Sequence, residues 1–439
     1  MDSPLLIGAA LVLFVLAFAR TEFGLYVVVF SMLLSPEITA GGGLAERREV
    51  TFRTEDFVLI VIGFTWFAKT AVNKELGLVA KTPLNRPIVA YIAVNVVATL
   101  LGYLTGSVRT AAGYFYVLKY IEYFVVYYMV VNNLRDRAHA RRLLIAALLT
   151  AAIVSVIGIM QVPSGERVSA PFEGEAGEPN TFGGYLLFMM ALAAGIALES
   201  TSFTVRARCL ALLALMAVPF VFTLSRASYL GVVPAFLGLT ALATHRRALV
   251  AVLVLVLVCS PFLLLVAPGA VVDRVLYTFQ PEASQPTVRL GKVGLDPSTS
   301  ARILSLQQAL KGWTQRPILG WGVTGFGFMD AQYARVLVET GIVGLAVFLW
   351  LVAAVLRAAR AAHRQLTDPL DRGLAMGFIA GTIGLLAHAI GSNTFTIIRI
   401  MEPFWLVAGI VVMLPVLAAE ERRTAPAPAV AAAAAPVLR

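Results

Sequence analysis

Residues 247–267 read RALVAVLVLVLVCSPFLLLVA, a run in which Arg247 is the only charged residue. A transmembrane α-helix needs about 20 mainly apolar residues, because each residue advances only about 1.5 Å along the helix axis. The run is therefore predicted to cross a membrane. Directly after it the chain becomes polar, and residues 268–333 form the one connection that is long and polar enough to fold on its own. We expect this loop to carry the chemistry of the protein.

The composition of the whole chain supports a membrane protein. Of its 439 residues 59% are hydrophobic and 14% are charged, and the mean hydropathy is +0.83. A soluble domain contains about 25% charged residues. In hydrocarbon every backbone polar group must be paired within the protein, and continuous apolar runs of spanning length satisfy this need as α-helices. The predicted fold class is an all-α, polytopic bundle of membrane helices.

Thirteen apolar stretches are predicted to span the membrane, or twelve if the first two, which only Arg20-Thr21-Glu22 separates, form one. They are residues 4–19, 22–36, 56–70, 87–105, 113–131, 142–161, 180–199, 207–223, 226–243, 247–267, 334–356, 372–391 and 400–419. Ten of them lie in residues 1–267 and three in residues 334–419, on either side of the 268–333 loop. Residues 420–439 are rich in alanine and proline and are expected to be disordered.

The basic residues set the predicted orientation. The formal net charge is +10, and lysine and arginine gather in alternate connections between the apolar stretches. These connections contain Lys69, Lys74, Lys81, Arg86, Arg135, Arg137, Arg141, Arg142, Arg206, Arg208, Arg246, Arg247, Arg357, Arg360, Arg364 and Arg372. The positive-inside rule places them and the C-terminus in the cytoplasm, and the 268–333 loop in the periplasm. Since most of the charge reflects orientation among membrane lipids, nucleic acid is not an expected partner.

Two arginines are candidates for binding an anionic ligand. Arg226 ends the motif Thr223-Leu224-Ser225-Arg226 at a tight outer turn, where a charged group needs a partner or a water-filled cavity. Arg302 lies in the first turn of an amphipathic helix predicted at residues 301–311. A guanidinium group presents a planar fork of donors that matches phosphate oxygens in pairs. The alternatives are that Arg226 reaches lipid headgroups and that Arg302 is a solvated loop residue.

The loop also contains Gly320, Gly322 and Gly325, which spell the G-x-G-x-x-G pattern of dinucleotide-binding proteins. That pattern binds a dinucleotide when it lies between a strand and a helix of a βαβ unit. An extracytoplasmic loop of an all-helical membrane protein offers neither neighbour. We therefore interpret these glycines as turn formers.

Four further residues mark the start of the next helix. Asp330 and Tyr333 are expected to share one face of it, and Arg335 lies four residues before Glu339. All four are candidate site residues. The alternative is that Tyr333 anchors the helix at the membrane interface and that Arg335 and Glu339 form a structural ion pair. Both interpretations remain open at the level of the sequence.

Other polar positions also allow two interpretations. Asn180, in Pro179-Asn180, is expected to cap the helix that it opens. His388 lies in an apolar helix and is either a packing residue or a base. Lys119 and Glu122 either neutralise each other within the bundle or line a substrate path. The sequence has no cluster of histidine, cysteine and carboxylate residues with metal-ligand spacing, so no metal or other cofactor is expected.

Taken in order, these motifs resemble the O-antigen ligase/polymerase superfamily of bacterial inner membranes. The resemblance covers roughly residues 170–415. It rests on Pro179-Asn180, Thr223-x-Ser225-Arg226, Arg302 in a long external loop, Arg316-Pro317-x-x-Gly320-x-Gly322 and Leu337-x-Glu339-x-Gly341-x-x-Gly344.

The resemblance implies a membrane glycosyltransferase with its active site between the helical bundle and the periplasmic loop. Such an enzyme transfers a glycan from undecaprenyl diphosphate to a hydroxyl of an acceptor glycan or lipid-linked glycan, without metal or nucleotide. Arg226 and Arg302 match the two arginines that hold the diphosphate in the family. The expected substrate-binding residues are Arg226, Arg302, Asn180, Tyr333, Glu339, His388 and Arg399.

One departure from the family pattern separates its branches. The ligase branch has a histidine before the helix with the L-x-E-x-G motif, whereas this chain reads Met329-Asp330-Ala331-Gln332-Tyr333. Asp-x-x-Tyr at this place resembles polymerases of O-antigen or exopolysaccharide repeat units. We therefore predict a polymerase, with Asp330 as the candidate catalytic base by its position. The alternatives are an O-antigen ligase acting on lipid A core, and a flippase or transporter that holds lipid-linked oligosaccharides without chemistry.

Overall fold

The computed structural model describes residues 3–39, 51–72, 80–110, 112–172, 177–244, 297–327 and 329–424, with isolated positions at 269, 272, 289–290 and 293–294. Within these residues it contains thirteen α-helices, and the predicted all-α class is confirmed. The helices are α1 (Ser3–Ala19), α2 (Thr21–Leu34), α3 (Thr54–Val72), α4 (Asn85–Leu104), α5 (Ala112–Asn133), α6 (Arg137–Gln161), α7 (Pro179–Glu199), α8 (Phe203–Phe222), α9 (Arg226–Leu242), α10 (Pro297–Gln315), α11 (Gln332–Gln365), α12 (Pro369–His388) and α13 (Ile398–Thr424). Two antiparallel pairs of very short strands accompany them, β1 (Glu37–Thr39) with β2 (Thr51–Arg53) and β3 (Arg289–Leu290) with β4 (Val293–Gly294).

Eight of the described helices, α4 to α8 and α11 to α13, are long and apolar enough to cross a membrane. Helices α2 and α9 are apolar but have only 14 and 17 residues, fewer than the ~20 that a perpendicular span needs. The first two predicted stretches are separate helices, because α1 ends before Arg20 and α2 begins after it. The predicted span 247–267 lies outside the described residues, as does the tail beyond Thr424. Residues 420–424, which were predicted to belong to the disordered tail, form the end of α13.

Helices α7 and α12 pack backbone to backbone. A Cβ atom added to Gly195 of α7 would lie 2.4 Å from the carbonyl oxygen of Gly373 and 2.5 Å from the backbone nitrogen of Gly377. In the reverse direction, a Cβ atom at Gly377 would lie 2.6 Å from the carbonyl oxygen of Ala191. Small residues allow membrane helices to approach this closely. The contact fixes the position of α7, whose first turn contributes to the site described below.

Helix α11 is interrupted at Gly341, whose φ of +68° and ψ of −168° lie outside the helical region. An interruption leaves backbone groups on both sides without helical partners. The glycine-rich run of the loop supplies new partners. The Trp321 N–H donates to the Val338 carbonyl at 3.0 Å, and the Ile342 N–H donates to the Pro317 carbonyl at 2.9 Å. The loop is thus inserted into the break, which satisfies backbone groups that would be costly to leave unpaired in a membrane.

The glycines of this run make the turns that the insertion needs. Gly320 and Gly322 have φ values of +66° and +85°, in the left-handed region that favours glycine. A Cβ atom at Gly320 would lie 2.5 Å from the Val338 carbonyl oxygen. The interpretation of the G-x-G-x-x-G pattern as a turn-forming segment is therefore confirmed, and its partner is the interrupted helix α11.

At the end of the bundle that is predicted to be cytoplasmic, ion pairs connect α6 to α12 and α13. Asp371, which is 1% exposed, accepts hydrogen bonds from Arg137 and from Arg141, the latter through Nη2 at 2.9 Å. Arg137 also lies 3.1 Å from Glu421 of α13. Removing one member of a buried ion pair leaves an uncompensated charge, so this network holds the three helices together at that end.

Candidate active site

Residues 223–226 form the tight turn between α8 and α9. Ser225 caps α9 by accepting a hydrogen bond from a backbone N–H of the first turn, so Arg226 is the first helical residue. Leu224 has a φ of +48°, a conformation that costs a residue with a side chain roughly 1–2 kcal/mol. The Nε atom of Arg167 donates to the first carbonyl of the turn at 3.0 Å and stabilises it from outside. The position of Arg226 is therefore fixed by several contacts.

Asn180 lies beside this turn. The Ser225 hydroxyl lies 2.8 Å from Oδ1 of Asn180 and 2.8 Å from the hydroxyl of Ser228. The prediction that Asn180 caps α7 is wrong, because Glu178 holds the N-cap position and Asn180 is already inside the helix. A capping side chain must lie on a residue outside the helical conformation. The amide of Asn180 instead connects the first turn of α7 to that of α9.

Helix α10 positions Arg302 against Asp330. The helix begins at Pro297, so Arg302 lies in its second turn and not in the first turn as predicted. Its Nη2 atom lies 3.2 Å from Oδ2 of Asp330, and its Nε atom is buried without a hydrogen-bond partner among the described residues. The N-cap of α11 is Ala331, so Asp330 does not cap this helix. The two side chains remain 23% and 33% exposed, which leaves the pair accessible to a ligand.

Arg302 also approaches the beginning of α9. A Cβ atom added to Gly391 would lie 3.3 Å from Cβ of Ala227 and 4.0 Å from Nη1 of Arg302. Ala227 directly follows Arg226 in the sequence. The fold therefore brings the segments that carry the two predicted arginines to the same place, although 76 residues of sequence separate Arg226 from Arg302.

A cleft of about 570 Å³ opens beside the Arg302–Asp330 pair. Its lining combines aromatic, cationic, carboxylate and amide side chains from several helices and from the connections between them. The lining residues are Arg53, Phe115, Tyr116, Lys119, Arg167, Gly177, Glu178, Pro179, Asn180, Thr181, Asp330, Arg335, Ser392, Asn393, Thr396, Ile397 and Ile398. Two of the predicted site residues, Asn180 and Asp330, therefore line one cleft.

Arg335 forms part of the cleft wall. Its Nε atom donates to Glu339 at 3.2 Å and its Nη1 atom to the Thr396 hydroxyl at 3.4 Å, while its guanidinium lies 5.9 Å from the ring centre of Tyr116. Its Nη2 atom is buried without a hydrogen-bond partner among the described residues. The structural ion pair expected from the sequence is present. Glu339 contributes to the cleft by orienting Arg335, and its second oxygen accepts the Thr324 N–H at 3.1 Å.

Lys119 lines the cleft from α5. It pairs with Glu122 at 3.1 Å, as expected from the sequence, and also with Asp56, which α3 supplies. Arg53, another lining residue, lies 3.5 Å from Glu55. Both interpretations of Lys119 are thus compatible, because the side chain is neutralised within the bundle and also faces the cleft.

Six of the seven predicted substrate-binding residues lie outside the cleft lining. They are Arg226, Arg302, Tyr333, Glu339, His388 and Arg399. The Tyr333 hydroxyl donates to a backbone carbonyl of α12 at 2.6 Å. His388 is fully buried, with Nδ1 at 2.7 Å from the hydroxyl of Thr394. Arg399 is fully buried and donates to backbone carbonyls of two connecting segments at 2.6 to 3.3 Å. In the structure the side chains of Tyr333, His388 and Arg399 connect elements of the bundle.

The sequence left two interpretations open for Arg335 and Lys119 and did not identify Arg53 or Arg167 as site residues. Arg335 and Lys119 carried a detectable signal, because a charged residue inside an apolar span is a functional candidate by default. Arg53 and Arg167 lie in polar connections, where charge is ordinary. Only contacts with distant parts of the chain place them in the cleft, so no local pattern indicates them.

A family model described as O-antigen ligase matches residues 211–349. The matched segment contains the turn at 223–226, helix α10, Asp330 and the interruption of α11. No curated protein matches the chain. The family match confirms the resemblance that the motifs predicted, and it supports the O-antigen ligase/polymerase superfamily for this chain.

Proposed function

We propose that this protein is a polymerase that joins glycan repeat units carried on undecaprenyl diphosphate, at the periplasmic face of the inner membrane. The family match supports a membrane glycosyltransferase of the O-antigen ligase/polymerase type. The observation that carries the finer proposal is the pair of Arg302 and Asp330 beside a polar cleft. Arg302, which can bind a diphosphate, thus lies next to Asp330, whose carboxylate can accept a proton.

The donor diphosphate is proposed to bind between Arg226 and Arg302. Its oxygens would compete with Asp330 for the Arg302 guanidinium, whose buried Nε atom offers the second donor that a bidentate phosphate contact requires. Arg302 would then exchange one partner for another. This exchange would leave the carboxylate of Asp330 unpaired at the cleft, so that binding of the donor prepares the base.

In the transfer step, a hydroxyl of the acceptor glycan attacks the anomeric carbon of the donor sugar. The new C–O bond forms while the bond to the diphosphate breaks, and the diphosphate leaves with the electron pair. Asp330 takes the hydroxyl proton. The guanidinium groups of Arg226 and Arg302 stabilise the negative charge that develops on the leaving diphosphate.

The remainder of the cleft offers groups that bind sugars. Phe115 and Tyr116 provide aromatic faces, while Asn180 and Ser392 provide hydrogen-bonding groups. The Nη2 atom of Arg335 adds a buried donor that has no hydrogen-bond partner among the described residues. We propose that the sugar next to the diphosphate lies in this cleft.

Two observations favour polymerisation over the alternatives. Asp330 forms an ion pair with Arg302 and lines the cleft, whereas His388 is buried against Thr394 outside the cleft lining. This arrangement favours the polymerase over the lipid A core ligase. A flippase has to open towards both sides of the membrane, whereas the ion pairs around Asp371 hold the opposite end of the bundle together. The ion pairs therefore favour transfer over transport.

The substitution Asp330→Asn tests the proposed base. Asparagine keeps a hydrogen-bond acceptor for Arg302 but takes no proton, so chain extension is expected to fall about 100-fold or more. Glu166→Gln, which removes an exposed carboxylate elsewhere, is the matched control and should extend normally. A normal polysaccharide ladder from cells that carry only the Asp330→Asn protein would refute the role of Asp330 as base.

Deletion of the gene separates the three functions. A gel of surface polysaccharide from the deletion strain is expected to show a single-repeat band, because a polymerase is needed only to lengthen the chain. A complete polymer that is no longer attached to lipid A core would indicate a ligase. Loss of all lipid-linked glycan from the cell surface would indicate a flippase.

A further inference from the structure

A second cavity lies at the end of the bundle that is predicted to be cytoplasmic. It is a groove of about 500 Å³ between the beginning of α4, the second half of α11 and the second half of α13. This volume falls in the ~300–1,000 Å³ range of small-molecule sites. The groove is lined by Pro83, Arg86, Pro87, Trp350, Ala354, Arg357, Ala358, Ala361, Ala362, Gln365, Val412, Pro415 and Val416.

The polar part of the groove is positively charged. Arg86 and Arg357 line it together with Gln365, and none of the described residues that line it is acidic. Both arginines are exposed, and neither forms an ion pair within the part of the chain that the structure describes. The cleft of the candidate active site differs in this respect, since its cations Lys119 and Arg335 are paired with carboxylates. The groove can therefore bind an anion from outside the chain.

The rest of the groove is apolar and follows the axis of a membrane helix. Trp350, Ala354, Ala358 and Ala361 lie at helical spacing on α11 and form one stripe along it. Three alanines in this stripe leave room beside the helix, and Trp350 is 41% exposed at its far end. A ligand with a charged head and an apolar chain would bury both parts here.

We infer that the groove binds an anionic glycerophospholipid, with its phosphate between Arg86 and Arg357 and an acyl chain along the alanine stripe to Trp350. Basic pockets between membrane helices at the cytoplasmic side bind lipid headgroups in this way. Such a lipid would contact α4, α11 and α13 together and would hold the three helices against one another. The inference rests on the groove alone and is independent of the proposed glycosyl transfer.

Purified protein in a neutral detergent tests the inference. Added phosphatidylglycerol is expected to raise the melting temperature, because a ligand that binds the folded state stabilises it. Phosphatidylcholine, which carries no net charge, should have little effect, and inorganic phosphate should have none, because it lacks the acyl chain. In the variant Arg86→Gln/Arg357→Gln the affinity for phosphatidylglycerol should fall about fivefold for each arginine removed.

The control is Arg360→Gln/Arg364→Gln, which removes two exposed arginines of α11 that do not line the groove. It should respond to phosphatidylglycerol as the unchanged protein does. Equal loss of affinity in both double variants would indicate a diffuse basic surface and would overturn the inference. If the groove variant yields little folded protein, Trp350→Ala with both arginines retained should weaken binding of the diacyl lipid, and an unchanged affinity there would also overturn it.

Discussion

Replacing Arg302 with lysine keeps the positive charge but removes the planar fork of donors. In the structure Nη2 of Arg302 lies 3.2 Å from Asp330, and Nε is buried without a hydrogen-bond partner among the described residues. A bidentate phosphate would use both nitrogens, and each hydrogen bond to a charged group contributes about 1.5–3 kcal/mol. Lysine keeps one of the two bonds. The loss of the other predicts a transfer rate that is roughly 10- to 150-fold lower.

The same substitution should leave folding unchanged. The Arg302 and Asp330 side chains are 23% and 33% exposed, and a partly exposed ion pair contributes only about 0–1 kcal/mol to stability. The assay is the initial rate at which purified protein lengthens undecaprenyl-diphosphate-linked repeat units, with the melting temperature measured on the same samples. Lys311→Gln, at an exposed position of the same helix, is the control and should keep the normal rate. A normal rate for Arg302→Lys, or a reduced rate that only follows loss of folded protein, would refute the bidentate contact.

Three further predictions concern the framework around the site. Gly341→Ala should destabilise the protein by about 3 kcal/mol or more, because the backbone conformation favours glycine and the added Cβ would lie 2.2 Å from the Ile318 carbonyl oxygen. The control is Gly106→Ala, where φ is +71° but the space around the residue is open, and it should cost only about 1–2 kcal/mol. Melting temperatures in detergent compare the two, and equal effects would contradict the insertion of the loop into α11. Arg399→Gln should lower the yield of folded protein, because it removes a guanidinium that donates to backbone carbonyls, and the activity of each folded molecule should stay near normal. Lost activity at a normal yield would instead indicate that Arg399 binds the substrate. In a cysteine-free background, Gln285→Cys should be labelled from the periplasm and Arg360→Cys from the cytoplasm, and the opposite pattern would reverse the predicted topology.

The sequence predicts the helices well because the bilayer imposes a simple requirement. A backbone in hydrocarbon must pair its own polar groups, so an apolar run of spanning length becomes a helix, whatever it packs against. The run that becomes α7 was predicted at 180–199 and is observed at Pro179–Glu199. The start of α10 was predicted less well, at residue 301, whereas the helix begins at Pro297. Apolar residues recur at helical spacing only in the middle of this helix, so the pattern does not show where it begins.

The candidate site was only partly predictable because its contacts join distant segments. Arg226, Arg302 and Asp330 were recognised by residue type and motif order. The pairing of Arg302 with Asp330, and the role of the glycine run as a partner for the broken α11, depend on three-dimensional packing that no local pattern shows. Arg399 was predicted to bind the substrate because of its charge and position, but in the structure its guanidinium donates to backbone carbonyls.

The proposal that the protein lengthens lipid-linked glycans is tested most directly with purified protein and one substrate. Undecaprenyl-diphosphate-linked repeat units are supplied alone, and the products are separated by length on a gel. A polymerase finds both donor and acceptor in this substrate, so a ladder of longer chains is expected, and Arg302→Gln should abolish it. If product forms solely after lipid A core is added, the polymerase proposal is wrong and the protein is a ligase.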